Sequence, residues 1–203
     1  MDQLLKFAQA EAKLSKADPI LGRLIKLQKP VIIESRKDYF ASLCRSIVGQ
    51  QISVRAAAAI FERLGSLTKL SPEVISNLGL DKIKTVGLSG RKAAYIFDLA
   101  VHFRNNSDVY NHLDQLSDDE VVTELTAVKG IGVWTSQMFL MFSLGRLDVF
   151  PVDDVGIQRA MKLLYHWEKF PIREDLIKVS DAWRPYRTLA CLHLWKSLRN
   201  EPA

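Results

Sequence analysis

Apolar residues recur at three-and-four spacing along nearly the whole chain, and no convincing run alternates with period two, so the pattern predicts an all-α protein. Phe40, Leu43, Cys44 and Ile47 form one helical stripe, which halts at "GQQIS" and resumes after Ser53 with Ala57, Ile60, Phe61 and Leu64. "TVGLSGRKAAYIFDLAVHF" repeats the arrangement: Gly87 and Gly90 bracket Ser89 as a candidate helix cap, and Ala93, Ile96, Phe97 and Ala100 follow as a core face. Ser117 and Glu120 have capping-box spacing, after which Val121, Val122, Leu125 and Val128 carry a helix to a G-I-G break. The next helix shows Trp134, Met138, Met141 and Phe142 as its stripe. "FPVDDVGIQRAMKLL" then sets Pro151 ahead of an aspartate pair, with Ile157, Ala160, Met161 and Leu164 turned inward. "WRPYRTLACLHLWKSLR", starting at Pro185, is apolar almost all round, as a buried helix is.

The 203 residues, 48% hydrophobic and 25% charged, suit one globular unit or two small lobes with a real core. No long low-complexity linker, internal repeat or composition shift divides the chain, so any lobes share elements or pack closely. No apolar run is long enough to cross a bilayer, and the N-terminal stretch is amphipathic and acid-containing rather than signal-like. The expected setting is therefore cytosolic or nuclear, with no membrane partner. Cys44 and Cys191 lie inside apolar helical patterns, which predicts buried thiols rather than a disulfide framework or a four-cysteine cluster. His102, His112, His166 and His193 show no metal-ligand spacing. A net charge of +5 and a pI near 9.2 lean toward a polyanionic partner without requiring one.

Two stretches carry candidate chemistry. In "VKGIGVWTSQM", glycines on either side of Ile131 let the backbone take angles other residues avoid and approach a ligand closely, while the new helix offers unpaired N–H groups to an anion. Such a hairpin can hold a phosphate without reading base sequence; equally, its glycines can serve only to let two helices pack. Asp153 and Asp154 stand at the head of the following helix, where one carboxylate explains a cap and the second needs another reason, solvated charge being the ordinary one.

Taken together, "IVGQQIS", "GLSGRKAAYIFDLA", "LTAVKGIGVWTSQMFLM", "FPVDDVGIQRA" and "WRPYRTLACLHLW", in that order, resemble the helix-hairpin-helix DNA glycosylases, and within them the DNA-3-methyladenine glycosylase II branch. The resemblance runs from about residue 35 to the end. It implies an all-α, two-lobed fold with the active-site cleft between the lobes and no N-terminal β-rich domain. One lobe would take residues 36–145, containing the hairpin at 117–144, and the other 1–35 with 146–203. The implied activity is monofunctional hydrolysis of alkylated purines, 3-methyladenine and 7-methylguanine, flipped out of duplex DNA by a monomer. The alternative is a non-catalytic DNA-binding module that uses the same hairpin.

Matching on Arg159, five positions on, the resemblance places the essential carboxylate on Asp154 and leaves Asp153 as its neighbour or cap at the pocket. Trp134 and Trp195 match pocket tryptophans, whose ring faces would attract a cationic base. Trp134 also stands where bifunctional relatives carry a Schiff-base lysine, which implies an enzyme that uses water. Gln51 falls at the residue that fills the gap left by a flipped base, with Gln50 supporting that loop, and Lys129, Gly130, Gly132 and Thr135 fall on the DNA-binding hairpin. The carbonyls of Thr126, Val128 and Ile131 would hold a structural Na+ or K+; no other cofactor is required. Met138 and Lys196 stand where the best-known member has tyrosines, a departure that bears on lesion preference.

Overall fold

The computed structural model describes residues 2–199, and every regular element among them is helical. Thirteen α-helices follow in chain order. They are α1 (Asp2–Ala17), α2 (Pro19–Leu27), α3 (Tyr39–Gly49), α4 (Val54–Thr68), α5 (Pro72–Leu78), α6 (Leu80–Lys84) and α7 (Gly90–Asn105), then α8 (Ser107–Tyr110), α9 (Asp118–Thr126), α10 (Val133–Phe142), α11 (Val155–Leu164), α12 (Arg173–Ser180) and α13 (Arg187–Arg199). Many starts are written locally, with a short polar side chain accepting an N–H from the first turn: Asp18, Asp38, Ser53, Ser71, Ser89, Ser117 and Asp154. At Ser117 the reciprocal half of the capping box is present, Glu120 accepting the Ser117 N–H at 2.8 Å.

The described chain forms two compact units, one spanning Ser35–Leu144 and the other drawing on the residues to either side. In the Ser35–Leu144 unit, Phe40, Leu43, Cys44 and Ile47 of α3 are buried together with Ala93, Ile96, Leu99, Ala100 and Phe103 of α7. Phe103 joins Phe40 and Tyr110 in an aromatic cluster, with ring centroids 5.0 and 4.7 Å away. The predicted stripe on α4 is buried only at Leu64, while Ala57, Ile60 and Phe61 stay partly accessible. Two turns share a design. Gly87 (φ 96°) precedes buried Leu88 and the cap Ser89, and Gly130 (φ 84°) precedes buried Ile131 and the cap Gly132.

In the other unit α1 and α2 meet so closely that a Cβ on Gly22 would stand 2.8 Å from the Ser15 carbonyl oxygen. α13 is largely buried, carrying Leu189, Ala190, Cys191, His193 and Leu194 inward; its helical geometry begins at Arg187, two residues beyond the predicted start. His193 shares a hydrogen bond with Glu11 of α1 at 3.1 Å and another with Gln28 at 2.9 Å. Both cysteines are buried, and burial raises their thiol pKa values, so they behave as small apolar residues.

Asp18 anchors this unit. It caps α2 through the N–H groups of Ile20 and Leu21, both at 3.0 Å. It also accepts from the Tyr165 hydroxyl and, at 2.9 Å, from Nε1 of Trp183, a fully buried tryptophan set edge-on to Phe150. Burial by itself would raise the Asp18 pKa, but these four donors outweigh it and hold the carboxyl below the usual carboxylate range. Asp18→Ala removes the cap and strands two inward-pointing donors, so urea unfolding at neutral pH should show a loss of about 3 kcal/mol. A depressed folded-state pKa gives stability that is present above the unfolded value and lost as pH falls through the folded one. The gap between wild type and variant should therefore narrow only in acid, below the usual carboxylate range.

Candidate functional site

The hairpin between α9 and α10 needs glycine at one of its two glycine positions. Gly130 has φ 84°, and a Cβ there would lie 2.1 Å from Cδ2 of Tyr95, whose ring rests against the turn. Gly132, with φ −102° and open space where a Cβ would point, adopts a backbone any residue can take. The expectation of special angles at both glycines thus holds for Gly130 alone. At Gly132 the absence of a side chain leaves the start of α10 uncovered, and no side chain caps that helix. Val128 and Ile131 anchor the turn in the core, and the Val128 carbonyl accepts the Ile131 N–H at 3.1 Å. Lys129 is tied to Asp98 by its backbone N–H at 2.9 Å and its ammonium at 3.4 Å, although that ammonium remains largely in water.

The first turn of α10 is inverted for a helix packed on a core. Thr135 and Ser136 are buried, whereas Val133 and Trp134 are about half exposed (52% and 50%). Of the predicted stripe Trp134, Met138, Met141 and Phe142, only Met141 is buried; Phe139 and Leu140 carry the core instead. Trp134 and Met138 line a cavity of about 610 Å3 together with Ser42 and Ser46 of α3 and the loop residues Gln50 and Gln51. Thr135 also lines this cavity, although it is buried. Gln51 is exposed and left-handed (φ 55°), and Gln50 donates from Nε2 to the Gly130 carbonyl at 2.9 Å, tying the loop to the hairpin.

In the other unit, Asp154 is itself the N-cap of α11, so of the two roles the resemblance leaves to Asp153, neighbour or cap, the structure gives it that of neighbour. Its Oδ1 accepts the Ile157 N–H at 2.8 Å and the Trp195 Nε1–H at 2.9 Å, so two donors orient the carboxylate. Gly156 makes room for this: a Cβ there would lie 3.0 Å from Asp154 Oδ1 and 3.3 Å from the Trp195 ring. Asp153, one residue away, points to solvent and pairs with Arg173 at 2.5 Å. The loop ahead of Asp154 is clamped onto the start of α13. Arg187 grips Asp148 at 2.8 and 3.0 Å, Arg184 adds a contact at 2.8 Å, and Thr188 bonds the backbones of Arg146 and Val149. Gln158 closes the turn through the Val152 carbonyl at 3.0 Å. None of these clamps is visible as a pattern in the sequence. The Lys196 ammonium is turned onto the Lys29 carbonyl at 2.6 Å.

A hairpin that bares a helix start and an oriented aspartate at the head of a helix are what the resemblance to the helix-hairpin-helix class implies. The chain belongs to the HhH-GPD superfamily of base excision DNA repair proteins, whose sequence pattern matches residues 44–185. It is similar to DNA-3-methyladenine glycosylase 1 of Schizosaccharomyces pombe, with 33% identity over 197 residues, covering 93% of this chain and 86% of that protein. Among solved structures, a DNA-3-methyladenine glycosidase from Bacillus halodurans is 37% identical with a TM-score of 0.83, covering 94% of this chain and 89% of its own. A Schizosaccharomyces pombe 3-methyladenine DNA glycosylase in complex with abasic DNA gives a TM-score of 0.79 at 32% identity, covering 94% and 97%.

The two hairpin glycines should separate in a stability measurement. Gly130→Ala must strain a left-handed backbone and displace Tyr95, for a loss of about 2 kcal/mol or more in denaturant unfolding. Gly132→Ala should cost less than about 1 kcal/mol, the difference between glycine and alanine at an N-cap.

Proposed function

We propose that the protein is a monofunctional DNA glycosylase of base-excision repair that hydrolyses the N-glycosidic bond of alkylated purines, chiefly 3-methyladenine, flipped out of duplex DNA. The observation that carries this reading is the Asp154 carboxylate, held on Oδ1 by two donors at the head of α11. Breaking the glycosidic bond sends the bonding pair to the departing base and leaves positive charge on the deoxyribose. A carboxylate already oriented stabilises that charge without reorganising, and water then adds to the sugar carbon and gives its proton to that carboxylate or to solvent. An alkylated purine is cationic before it leaves and neutral afterwards, so a strong general acid is unnecessary. One carboxylate suffices, unlike the pair usual in sugar hydrolysis.

In the Ser35–Leu144 unit, the uncapped start of α10 and the exposed Lys129 ammonium are suited to a DNA phosphate, with Gln51 suited to entering the gap behind the flipped base and Trp134 and Met138 to walling its pocket. Trp195 has a second duty beyond any ring-face contact, since its N–H fixes Asp154. Because Lys196 is engaged with Lys29, its ammonium is directed by that carbonyl. The carbonyls of Thr126, Val128 and Ile131 are the groups that would hold Na+ or K+; Val128 keeps one lone pair beyond its bond to Ile131. The protein would act as a monomer wherever the cell keeps its DNA; no helix among the described residues is long and apolar enough to cross a membrane. A non-catalytic DNA-binding module is the competing reading, and it gives Asp154 no task beyond capping.

Asp154→Asn isolates the charge, because asparagine caps equally well and keeps an oxygen for Ile157 and Trp195. Release of bases from methylated DNA, followed by chromatography, should fall by on the order of 10²-fold or more. Duplex binding should stay level or tighten as a negative charge near phosphate is lost. Asp153→Asn, which breaks only an exposed ion pair, should excise near normally; the opposite ranking would move the role to Asp153. Borohydride added during turnover should trap no protein–DNA adduct, since position 134 offers no amine. A stable adduct would overturn the monofunctional assignment.

A further inference from the structure

The lysine at the start of α7 breaks a local electrostatic rule. Lys92 lies in the first turn of α7, where Ser89 Oγ accepts its backbone N–H at 3.3 Å, and a cation there opposes the positive end of the helix dipole. Its ammonium is directed elsewhere. It donates to the Val48 carbonyl at 2.8 Å and to the Gln50 carbonyl at 2.6 Å, two acceptors at the C-terminal end of α3 that lack helical partners. The cation thus sits at the negative end of a neighbouring helix, and a violated local preference compensated at a distance is the usual mark of a working site.

Lys92 secures the bend that carries Gln51. The other backbone bond here, from the Gln50 N–H to the Ile47 carbonyl, is long at 3.4 Å, and Gln51 is held left-handed at φ 55°. Gln50 spans to the hairpin by its side chain while its carbonyl receives Lys92, so α3, α7 and the hairpin turn converge on one residue. Lys92 also faces a surface hollow of about 450 Å3 shared with Gln51, Ser89, Arg91, Tyr95 and Gly130.

We infer that Lys92 is a positioning residue that locks the bend following α3, at Gln50 and Gln51, to the hairpin, so that Gln51 is presented to the duplex in a fixed register when the hairpin engages phosphate. This rests on the DNA glycosylase reading above. Lysine suits the task because a single ammonium satisfies two carbonyls that diverge from the helix end, which an apolar side chain cannot do and a carboxylate would repel.

The test uses the full chain and a duplex holding a tetrahydrofuran abasic site beside 2-aminopurine, whose fluorescence rises when the gap is entered and the stack disturbed, together with base release from methylated DNA. Wild type must give both signals; silence in both would sink the glycosylase reading itself rather than the role of Lys92. Lys92→Met should lose most of the fluorescence amplitude and lower the excision rate by about tenfold or more, as misplacement of a positioning group does. Binding of undamaged duplex should keep the wild-type dependence of log K on log salt. Lys92→Arg, which can donate to both carbonyls, should recover excision to within a few-fold. If Lys92 instead contacts phosphate, Lys92→Met will lower the salt slope by about 1 with the fluorescence amplitude intact, and the inference is wrong. If both variants lose activity only in proportion to a fall in unfolding temperature, the residue is a support for the fold and the inference is equally wrong. Unchanged behaviour of Lys92→Met in both assays also refutes it.

Discussion

The ring of Tyr95 occupies the space a side chain on Gly130 would need, and the organisation of the Ser35–Leu144 unit turns on that contact. With no Cβ, the hairpin comes down onto α7 and its left-handed residue is held from outside. The Gly130 carbonyl is then within 2.9 Å of the Gln50 amide, and the bend after α3 is drawn to the same point. From this junction α10 departs with its apolar residues split between core and surface. Phe139, Leu140 and Met141 hold it in place while Trp134 and Met138 are left on a cavity wall. A larger residue at position 130 would disturb the packing of Tyr95, the hairpin and the loop together.

The approach to Asp154 is fixed by polar ties. A loop without regular structure leads into α11, and loops of this kind position a side chain well only when their backbone is tied down. Asp148 receives two arginines, Thr188 bonds the backbone on either side of it, and Gln158 closes the final turn. Arg187 and Thr188 lie in the first turn of α13, and the same helix, two turns on, delivers Trp195 to Oδ1 of Asp154. One rigid helix therefore fixes both the approach to the carboxylate and its orientation. That arrangement suits a group whose chemical value lies in being held still.

Several features of this protein were determined by local sequence alone. Serine and aspartate before apolar runs mark helix starts, because a short acceptor satisfies the first-turn amides wherever it falls, and the Ser117–Glu120 box forms as its spacing requires. The all-helical class follows from periodicity, and five ordered motifs point to the family to which residues 44–185 belong. Most of each buried stripe on α3, α7 and α9 is legible for the same reason, since an amphipathic helix needs only its own sequence to define an inner face, although Phe97 and Val122 are only half-buried.

Tertiary structure decided the rest. Periodicity marks a stripe as apolar without saying how much of it is covered, so it assigns Ala57, Ile60 and Phe61 to a core although they stay partly accessible, and it places the half-exposed Trp134 in a stripe of which only Met141 is buried. Two adjacent aspartates look alike in sequence; the Trp195 N–H, 41 residues away, and the Arg173 guanidinium, 20 away, distinguish them. Gly130 and Gly132 are equally glycine, yet only the first has a ring against it. Lys92 carries no signal in the sequence, because its partners are backbone carbonyls 42 and 44 residues distant, and a carbonyl has no letter there. Local rules act through neighbours along the chain and can be read there, whereas the duties of Asp154, Gly130 and Lys92 come from groups that only folding brings near.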